Sequence, residues 1–253
     1  MSEFEPELEH GLENYLSEDI VIKDGHMYHE NKLIKKHNWH LKLVELGWQK
    51  LHKPWISKLN KLHNPYPNNS LFGSLECGSD GDCLFHCIAH SLNSQSLECF
   101  YDSKDIRKLV GDSVSEEQFS DIITCYRSMK DLDDFDESWD PYSIDTLDEF
   151  KEQLNESGHT YWCDHLVLQL ICQAFNINVL VLSQNEWTNT YEIYPFAQTY
   201  DTSKDTIVVI HENAAHFTLL GHFQDIMITY FTHDNLPLEI KKLYNVNQHL
   251  STM

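Results

Sequence analysis

The chain has 253 residues, of which 41% are hydrophobic, and it carries a net charge of −22 at pH 7. This composition supports a sizeable core, which argues against global disorder, and its acidity argues against nucleic acid as the main partner. Seven cysteines, an odd number at irregular spacing, argue against a disulfide framework. The acidic first residues carry no signal-peptide core, and no apolar stretch approaches the ~20 residues of a membrane span. We therefore expect no membrane partner and a cytoplasmic or nuclear location in a reducing compartment.

The first 70 residues are predicted to form an N-terminal extension with two parts. Residues 1–30 are acidic, and we expect them to be loosely ordered. Between residues 31 and 64, eight lysines stand against one acid, so this segment has a net charge of +7 and the remainder −29. Apolar residues spaced by three and four from Trp39 to His63 predict two short helices split at Pro54. We expect the tryptophans of this segment to pack in a core, with a binding face as the alternative.

Capping residues and apolar patterns predict the elements of the central and C-terminal parts of the chain. A Ser-x-x-Gln capping box predicts a helix over residues 115–129, and Asp164 is placed as the N-cap of another helix. The run Val179–Leu182 is apolar on both faces, which is typical of a central strand. Further patterns predict a helix over 146–155 and, after residue 223, a strand over 226–231 and a helix over 238–245.

A glycine-bearing acidic turn, Ser79–Asp82, leads directly into Cys83 and an apolar run that is compatible with a helix. The N-terminus of a helix presents unpaired N–H groups and a positive dipole end, which favour a thiolate over a thiol. The same N–H groups can stabilise an oxyanion. Cys83 is therefore a candidate nucleophile, and a buried structural cysteine is the alternative.

The second candidate, His216, lies 133 residues downstream of Cys83. Two β-branched or apolar runs, 206–210 and 216–220, bracket a short connection, which predicts a hairpin with His216 at the start of its second strand. A histidine held at the rim of a sheet is the kind of base that a catalytic thiol requires. A half-buried structural histidine is the alternative.

Three blocks of the sequence resemble the motifs of the ovarian-tumour (OTU) family of cysteine proteases. Asp80–Phe85 (DGDCLF) is similar to the family's signature around its cysteine. Tyr161–Asp164 (YWCD) is similar to its Trp-Gly-(Asp/Gly) block, and His216-Phe217 is similar to its final histidine-aromatic motif. The blocks occur in the family's order, and the resemblance covers residues 71–223, roughly 60% of the chain.

The resemblance implies an α+β fold with a small central mixed β-sheet flanked by helices. It implies a catalytic domain over residues 71–223, followed by a tail over 224–253. Cys83 would be the nucleophile, His216 the base and Asp80 the acidic residue of the cysteine loop, with no metal or cofactor. The implied activity is hydrolysis of isopeptide bonds between ubiquitin, or a ubiquitin-like modifier, and proteins. Such conjugates are the expected partners of a monomeric enzyme, and an inactive OTU-fold module that binds ubiquitin is the alternative.

Two positions depart from the family pattern. Cys163 stands where the family usually has glycine. Thr218 stands where many members carry the Asp or Asn that orients the imidazole, and a threonine brings no negative charge to stabilise an imidazolium. The orienting side chain would then come from elsewhere, for example from Glu76 or Asn69.

Two residue patterns resemble metal-binding motifs and offer an alternative to this interpretation. The run Cys83–His90 carries Cys-x-x-His-Cys-x-x-His, but zinc sites usually draw their ligands from two separate elements. His211 and His216 mimic a metalloprotease motif, but they are five residues apart, whereas the helical motif needs four. A zinc-binding scaffold is therefore disfavoured.

Overall fold

The structure, a computed structural model, describes residues 13–62, 71–94, 100–135, 138–158, 160–195 and 198–246. Its centre is an eight-stranded mixed β-sheet with helices packed on both faces, which confirms the predicted combination of helices with a mixed sheet. Four short strands form a second sheet near the N-terminal end of the described chain. Within these ranges, no helix combines the length and the apolar character that crossing a bilayer requires.

The large sheet has the strand order β5-β6-β10-β9-β7-β8, with β11 paired to β10 and β12 paired to β9. Strands β7 and β9 are parallel, and the other pairs of this sheet are antiparallel. The strands of the described residues are β1 Asn14–Tyr15, β2 Ile20–Lys23, β3 His26–His29, β4 Lys32–Leu33, β5 Trp48–Lys50, β6 Phe72–Leu75, β7 Asn178–Asn185, β8 Thr190–Ile193, β9 Thr206–Glu212, β10 His216–Gln224, β11 Ile226–Ile228 and β12 Tyr230–Phe231.

The helices of the described residues are α1 Trp39–Lys42, α2 Lys53–Leu62, α3 Cys83–Asn93, α4 Ser103–Ser113, α5 Glu116–Asp131, α6 Leu147–Asn155, α7 His165–Ala174 and α8 Leu238–Leu243, with 3-10 turns at Leu43–Leu46 and Pro141–Ser143. The predicted capping box is confirmed at the start of α5, and Asp164 caps α7. The predicted hairpin is confirmed as β9–β10. The strand predicted over 226–231 is instead the two short strands β11 and β12.

Two separate hydrophobic clusters occupy the two faces of the large sheet. One joins the sheet to α3–α7, and the other joins it to α2 and α8. In β7, Val179 and Val181 belong to the first cluster, whereas Leu180 and Leu182 belong to the second. Side chains alternate between faces along a strand, so a strand covered on both sides is apolar at every position. This arrangement accounts for the continuous apolar run of β7.

The expectation of a loosely ordered start was wrong over the part that the structure describes. Residues 14–33 form the antiparallel strands β1–β4. Ile20 and Met27 are buried in the first hydrophobic cluster. The Met27 N–H also donates to the Asp225 carbonyl at 3.1 Å, which attaches the small sheet to the end of β10. Residues 1–12 and the predicted linker at 65–70 lie outside the described residues.

The prediction of two helices after residue 39 was wrong in its first half. Helix α1 ends after four residues, and a 3-10 turn leads to Gly47 and into β5. Gly47 ends this turn with φ +86°, a left-handed conformation that suits glycine. The second helix is confirmed as α2, but Pro54 is its second residue and does not separate two helices. A proline is tolerated there because the first N–H groups of a helix have no intrahelical partner.

The segment before residue 71 is packed against the large sheet. β5 pairs with β6, and the Trp48 ring lies so close to Gly221 of β10 that a Cβ atom there would fall 2.5 Å from it. As expected, the three tryptophans of this segment are buried. The segment supplies nine buried side chains to the two clusters: Ile20, Met27, Ile34, Trp39, Leu43, Trp48, Leu51, Trp55 and Leu59. The boundaries predicted at residues 71 and 223 stay predictions.

Candidate active site

Cys83 is the first residue of α3, as the preceding turn predicts. Gly81 has φ +83°, which glycine adopts without strain, and Asp82 follows as the N-cap residue. Cys83 is only 7% exposed, and its Sγ accepts a hydrogen bond from the Phe217 N–H at 3.4 Å. The sulfur therefore lies at the positive end of the α3 dipole and beside the strand that carries His216.

His216 is the first residue of β10, and it lies opposite Glu212 across the β9–β10 turn. Its side chain is hydrogen-bonded to the side chain of Cys83. This bond is the main cause that raises the pKa of His216 to about 9, and a hydrogen bond to Glu76 adds to it against the opposing effect of burial. At neutral pH, His216 is therefore an imidazolium that faces the sulfur.

Glu76 holds the other side of the imidazole. It follows β6 directly, and the His216 Nε2–H donates to its Oε2 at 2.6 Å. With Nε2 engaged by the carboxylate, Nδ1 is the ring nitrogen available to Cys83. Glu76 is thus placed as an orienting residue, as the sequence analysis suggested. The other residue suggested for this role, Asn69, lies outside the described residues.

Thr218, in the position of the family's usual orienting residue, uses its hydroxyl elsewhere. The Thr218 Oγ1 donates to Glu212 Oε1 at 3.0 Å. Burial raises the pKa of Glu212, and the charge of His216 opposes this effect. Glu212 therefore lies within electrostatic reach of the imidazole, whereas the direct hydrogen bond comes from Glu76.

Asp80 lies in the cysteine loop but does not join this cluster. Its side chain is exposed, and among the described contacts it makes none with Cys83 or His216. The turn that contains it is closed by a hydrogen bond of 2.9 Å from the Gly81 N–H to the Ser79 carbonyl. The role that the resemblance implies for Asp80 stays a prediction.

A buried ion pair beneath the cysteine loop was missed in the sequence. Arg107 of α4 is fully buried, and its Nε and Nη2 donate to Asp82 Oδ1 at 2.8 and 2.5 Å. The same guanidinium donates to the carbonyls of Leu154 and Tyr161, each at 2.9 Å. The Gly158 N–H donates to Asp82 Oδ1 at 3.0 Å. Asp82, which occupies the N-cap position of the helix that begins at Cys83, is therefore tied to the end of α6 and to the Tyr161–Asp164 block.

The sequence contained a signal for this ion pair. Arg107 is one of only two arginines in the chain. It lies on the apolar stripe of α4 with Ile106 and Val110, at the spacing of residues that face a core. A charged residue on such a stripe indicates a buried partner, since an unpaired buried charge is costly.

We expect Arg107→Met to destabilise the protein by about 3–5 kcal/mol, because it leaves the Asp82 carboxylate buried without its partner. The free energy of unfolding in urea, measured by circular dichroism, checks this. Lys108→Met, next to it on α4, is the matched control, since Lys108 and its partner Asp112 are both exposed. Equal urea midpoints for the two variants would contradict the role of the ion pair.

The Tyr161–Asp164 block lies between the ion pair and α7. Tyr161 is buried and its hydroxyl lies 2.8 Å from that of Tyr126. Asp164 accepts the N–H groups of Leu166 and Val167 at the start of α7, as an N-cap residue does. Burial raises the pKa of the Cys163 thiol, which stands in the place of the family's glycine. The block is thus a structural junction with one partly exposed aromatic ring, Trp162.

Within the described ranges, one group of three side chains brings metal-ligating atoms within 4.8 Å of one another. It consists of Asp19, His29 and Glu45, next to the small N-terminal sheet. His29 Nε2 is also 3.3 Å from Glu45 Oε2, so the histidine has a carboxylate partner within this group. It shares no residue with the cluster around Cys83.

Comparisons with known proteins give one family and several distant structures. The model of the OTU-like cysteine protease family matches residues 78–223. No curated protein sequence matches the chain. The structure of the OTUD1 OTU domain is 14% identical, with 75% of this chain and 100% of that chain covered and a TM-score of 0.42.

Two further structures come from a bacterium and a virus. An OTU deubiquitinase from Wolbachia pipientis wMel is 14% identical over 70% of this chain and 99% of that chain, with a TM-score of 0.40. The viral OTU domain protease from Farallon virus is 17% identical over 60% of this chain and 85% of that chain, with a TM-score of 0.42. The family match covers more than half of the chain and includes both Cys83 and His216. The chain belongs to the OTU-like cysteine protease family.

Proposed function

We propose that the chain is a deubiquitinase that uses Cys83 as its nucleophile. Its substrates would be isopeptide bonds between proteins and ubiquitin or a ubiquitin-like modifier, and its localisation would be cytoplasmic or nuclear. The observation that carries the proposal is the contact of Cys83 with an imidazolium that Glu76 holds from the other side. A cysteine that served only to fill the core would not need a charged, oriented histidine beside it.

The thiol is activated by two fixed charges. The α3 N-terminus provides a partial positive charge, and the His216 imidazolium provides a full one. Both stabilise a thiolate, which is the attacking form of cysteine. Two acidic residues lie beside His216: Glu76 bonds to the imidazole, and Glu212 lies opposite His216 in the β9–β10 pairing. The family resemblance implies ubiquitin, whose C-terminal segment carries two arginines, and carboxylates can pair with such side chains.

In the first half of the reaction, the Cys83 thiolate attacks the carbonyl carbon of the modifier's C-terminal glycine. The Gly81 N–H is already bonded to Ser79, so the N–H groups at the start of α3, from Asp82 and Cys83, are the oxyanion donors in the proposal. The tetrahedral intermediate collapses when His216 gives its Nδ1 proton to the leaving lysine amine. The C–N bond breaks, and a thioester remains on Cys83.

In the second half, His216 takes a proton from water as the water attacks the thioester. The C–S bond breaks, and the modifier leaves as a carboxylic acid, which gives its remaining proton to the solvent. The imidazolium–thiolate pair forms again. Atoms and charges balance without a metal ion or cofactor.

A reaction with ubiquitin that carries a C-terminal electrophile tests the proposal, together with cleavage of isopeptide-linked di-ubiquitin. We expect a covalent adduct at Cys83 and release of mono-ubiquitin. A parallel set of probes made from ubiquitin-like modifiers identifies the preferred modifier. Binding of ubiquitin without adduct or cleavage would favour the alternative, an inactive ubiquitin-binding module.

We expect Glu76→Ala to lower kcat/KM by about 10²-fold, toward the low end of general acid–base effects because Glu76 is exposed. Glu76→Gln removes the charge that raises the pKa of His216, so the imidazolium is lost at a lower pH. The alkaline limb of the kcat/KM profile therefore moves to lower pH in this variant. Profiles measured with a fluorogenic ubiquitin substrate check the shift.

Thr218→Val is the control for this experiment, since its hydroxyl bonds Glu212 and not the ring. We expect it to keep kcat/KM and the alkaline limb close to the wild-type values. A loss of about 10³-fold in Thr218→Val, with no loss in Glu76→Ala, would make the threonine hydroxyl the orienting group.

A further inference from the structure

Two thiols of α3 hydrogen-bond to one residue of β10. The Phe217 N–H donates to Cys83 Sγ at 3.4 Å, and the Cys87 thiol donates to the Phe217 carbonyl at 3.6 Å. Cys83 and Cys87 are four residues apart, so their side chains share one face of the helix. The pairing of β6 with β10 ends at Leu75, which lies opposite Leu219. Phe217, to which both thiols bond, lies two residues beyond Leu219 on β10.

A third thiol, that of Cys77, lies at the same place. Cys77 is two residues beyond Leu75, on the segment that leaves β6, and its thiol donates to the Leu75 carbonyl at 3.7 Å. Residues two apart along an extended chain point to the same side, so Cys77 faces α3 as Leu75 does. Burial raises the pKa of the Cys87 thiol, and the neighbouring Cys77 side chain adds to this shift, so the two thiols are close enough to interact. Cys77 is partly exposed, whereas Cys87 is fully buried.

These two thiols differ from ordinary core cysteines in two respects. They come from two separate segments, the end of β6 and the second turn of α3, and both thiols bond to the backbone of the paired strands β6 and β10 where that pairing ends. One of them is reachable from solvent, so a reagent has an entry point. In a reducing compartment such a pair stays as two thiols, and disulfides that do form there are usually transient or redox-sensing.

We propose that Cys77 and Cys87 are a redox modification site that forms a reversible disulfide when the protein meets a small-molecule disulfide such as oxidised glutathione. The Cys77 thiolate attacks one sulfur of glutathione disulfide, which forms a mixed disulfide and releases one glutathione thiolate. The Cys87 thiol loses its proton and attacks the Cys77 sulfur, which releases the second glutathione thiolate. The two protein thiols are oxidised by two electrons, and the glutathione disulfide is reduced to two thiols.

The disulfide would disturb the support of the nucleophile. A Cys87 sulfur in a disulfide has no S–H, so the hydrogen bond to the Phe217 carbonyl is lost. The N–H of the same residue contacts Cys83 Sγ. Cys77 also follows Glu76, which holds His216. Oxidation therefore disturbs both the Phe217 contact of the Cys83 thiolate and the Glu76 contact of the His216 imidazolium. This effect on activity rests on the proposed function, whereas the disulfide itself does not.

The chemical test uses the full-length Cys83→Ala protein, so that the most reactive thiol is absent. The protein is equilibrated in glutathione redox buffers, and digested samples are analysed by mass spectrometry. We expect a cross-linked peptide pair containing Cys77 and Cys87, which disappears on reduction. Adding Cys77→Ser should abolish it, whereas adding Cys125→Ser, an exposed cysteine of α5, should leave it unchanged. Glutathione attached to Cys77 without a cross-link would overturn the proposal.

The functional test uses Cys83-containing protein and the ubiquitin probe. We expect oxidised wild-type protein to label several-fold more slowly and to recover fully with a reducing agent, while Cys77→Ser loses this response. Mass analysis selects samples in which Cys83 is unmodified. Cross-linking without slower labelling would overturn the link to the active centre. If the reduced wild-type protein is not labelled by the ubiquitin probe, the proposed function is wrong. The cross-linking experiment with the Cys83→Ala protein still shows whether the Cys77–Cys87 disulfide forms.

Discussion

Cys83→Ala is expected to abolish labelling by the ubiquitin probe and to reduce hydrolysis to the uncatalysed background. Loss of a nucleophile from a catalytic group that acts as a unit costs on the order of 10⁶ in kcat. Among the cysteines that the structure describes, only Cys83 begins a helix and interacts with His216. Intact-mass measurement of the probe adduct and single-turnover cleavage of di-ubiquitin check the prediction.

Cys77→Ala and Cys87→Ala, assayed under reducing conditions, are the matched controls. Both replace a thiol within the same cluster, and neither thiol contacts the substrate in the proposed mechanism. We expect both variants to label, although Cys87→Ala has lower stability because it leaves a small cavity in the core. Labelling that survives Cys83→Ala and is lost in either control would show that the nucleophile is another cysteine.

Removal of residues 1–70 is expected to unfold the protein. The nine buried side chains that this segment supplies are each worth about 1.5–3 kcal/mol, or about 14–27 kcal/mol together. The whole stability of a typical domain is about 5–15 kcal/mol, so the remaining chain cannot stay folded without them. The truncated chain would also expose the edge of β6 and the surface of β10 that Trp48 covers. Circular dichroism and urea unfolding measure the outcome.

Two point variants separate packing from chain length. Trp48→Ala is expected to lower the stability of the full-length protein by about 3–5 kcal/mol, since its ring is buried against the sheet. Leu41→Ala lies in the same segment but is exposed, and we expect little change from it. A chain beginning at residue 71 that is well folded and labels normally would instead establish the domain boundary predicted from the sequence.

The parts of the fold that the sequence predicted correctly depend on local signals. The turn before Cys83 needs a glycine at Gly81, and the helix begins directly after it. The β9–β10 hairpin follows from two β-branched runs with a short connection between them. The start of α5 follows from its Ser-x-x-Gln capping box. In each case the residues that specify the element lie within or next to it.

The parts that were missed depend on contacts between distant segments. Apolar residues at spacings of three and four suit a helix, but Trp48 lies in a strand because the edge of β6 offers it backbone partners. The sequence could name Glu76 only as one of two orienting residues, since it reaches His216 from the end of a neighbouring strand that is distant in sequence. Arg107 pairs with Asp82 over 25 positions, and no local pattern specifies which acid a buried arginine meets.

The contact between Phe217 and Cys83 can form only after a late part of the chain has been synthesised and has folded. A chain is synthesised from its N-terminus, so the thiol of Cys83 leaves the ribosome 133 residues before His216 does. Until β10 pairs with its neighbours, neither the imidazolium nor the Phe217 N–H is beside the sulfur. A nascent or partly folded chain therefore carries an ordinary cysteine. The reaction rate of Cys83 with a small electrophile would report when the β9–β10 hairpin docks, which makes this thiol a built-in probe of that step of folding.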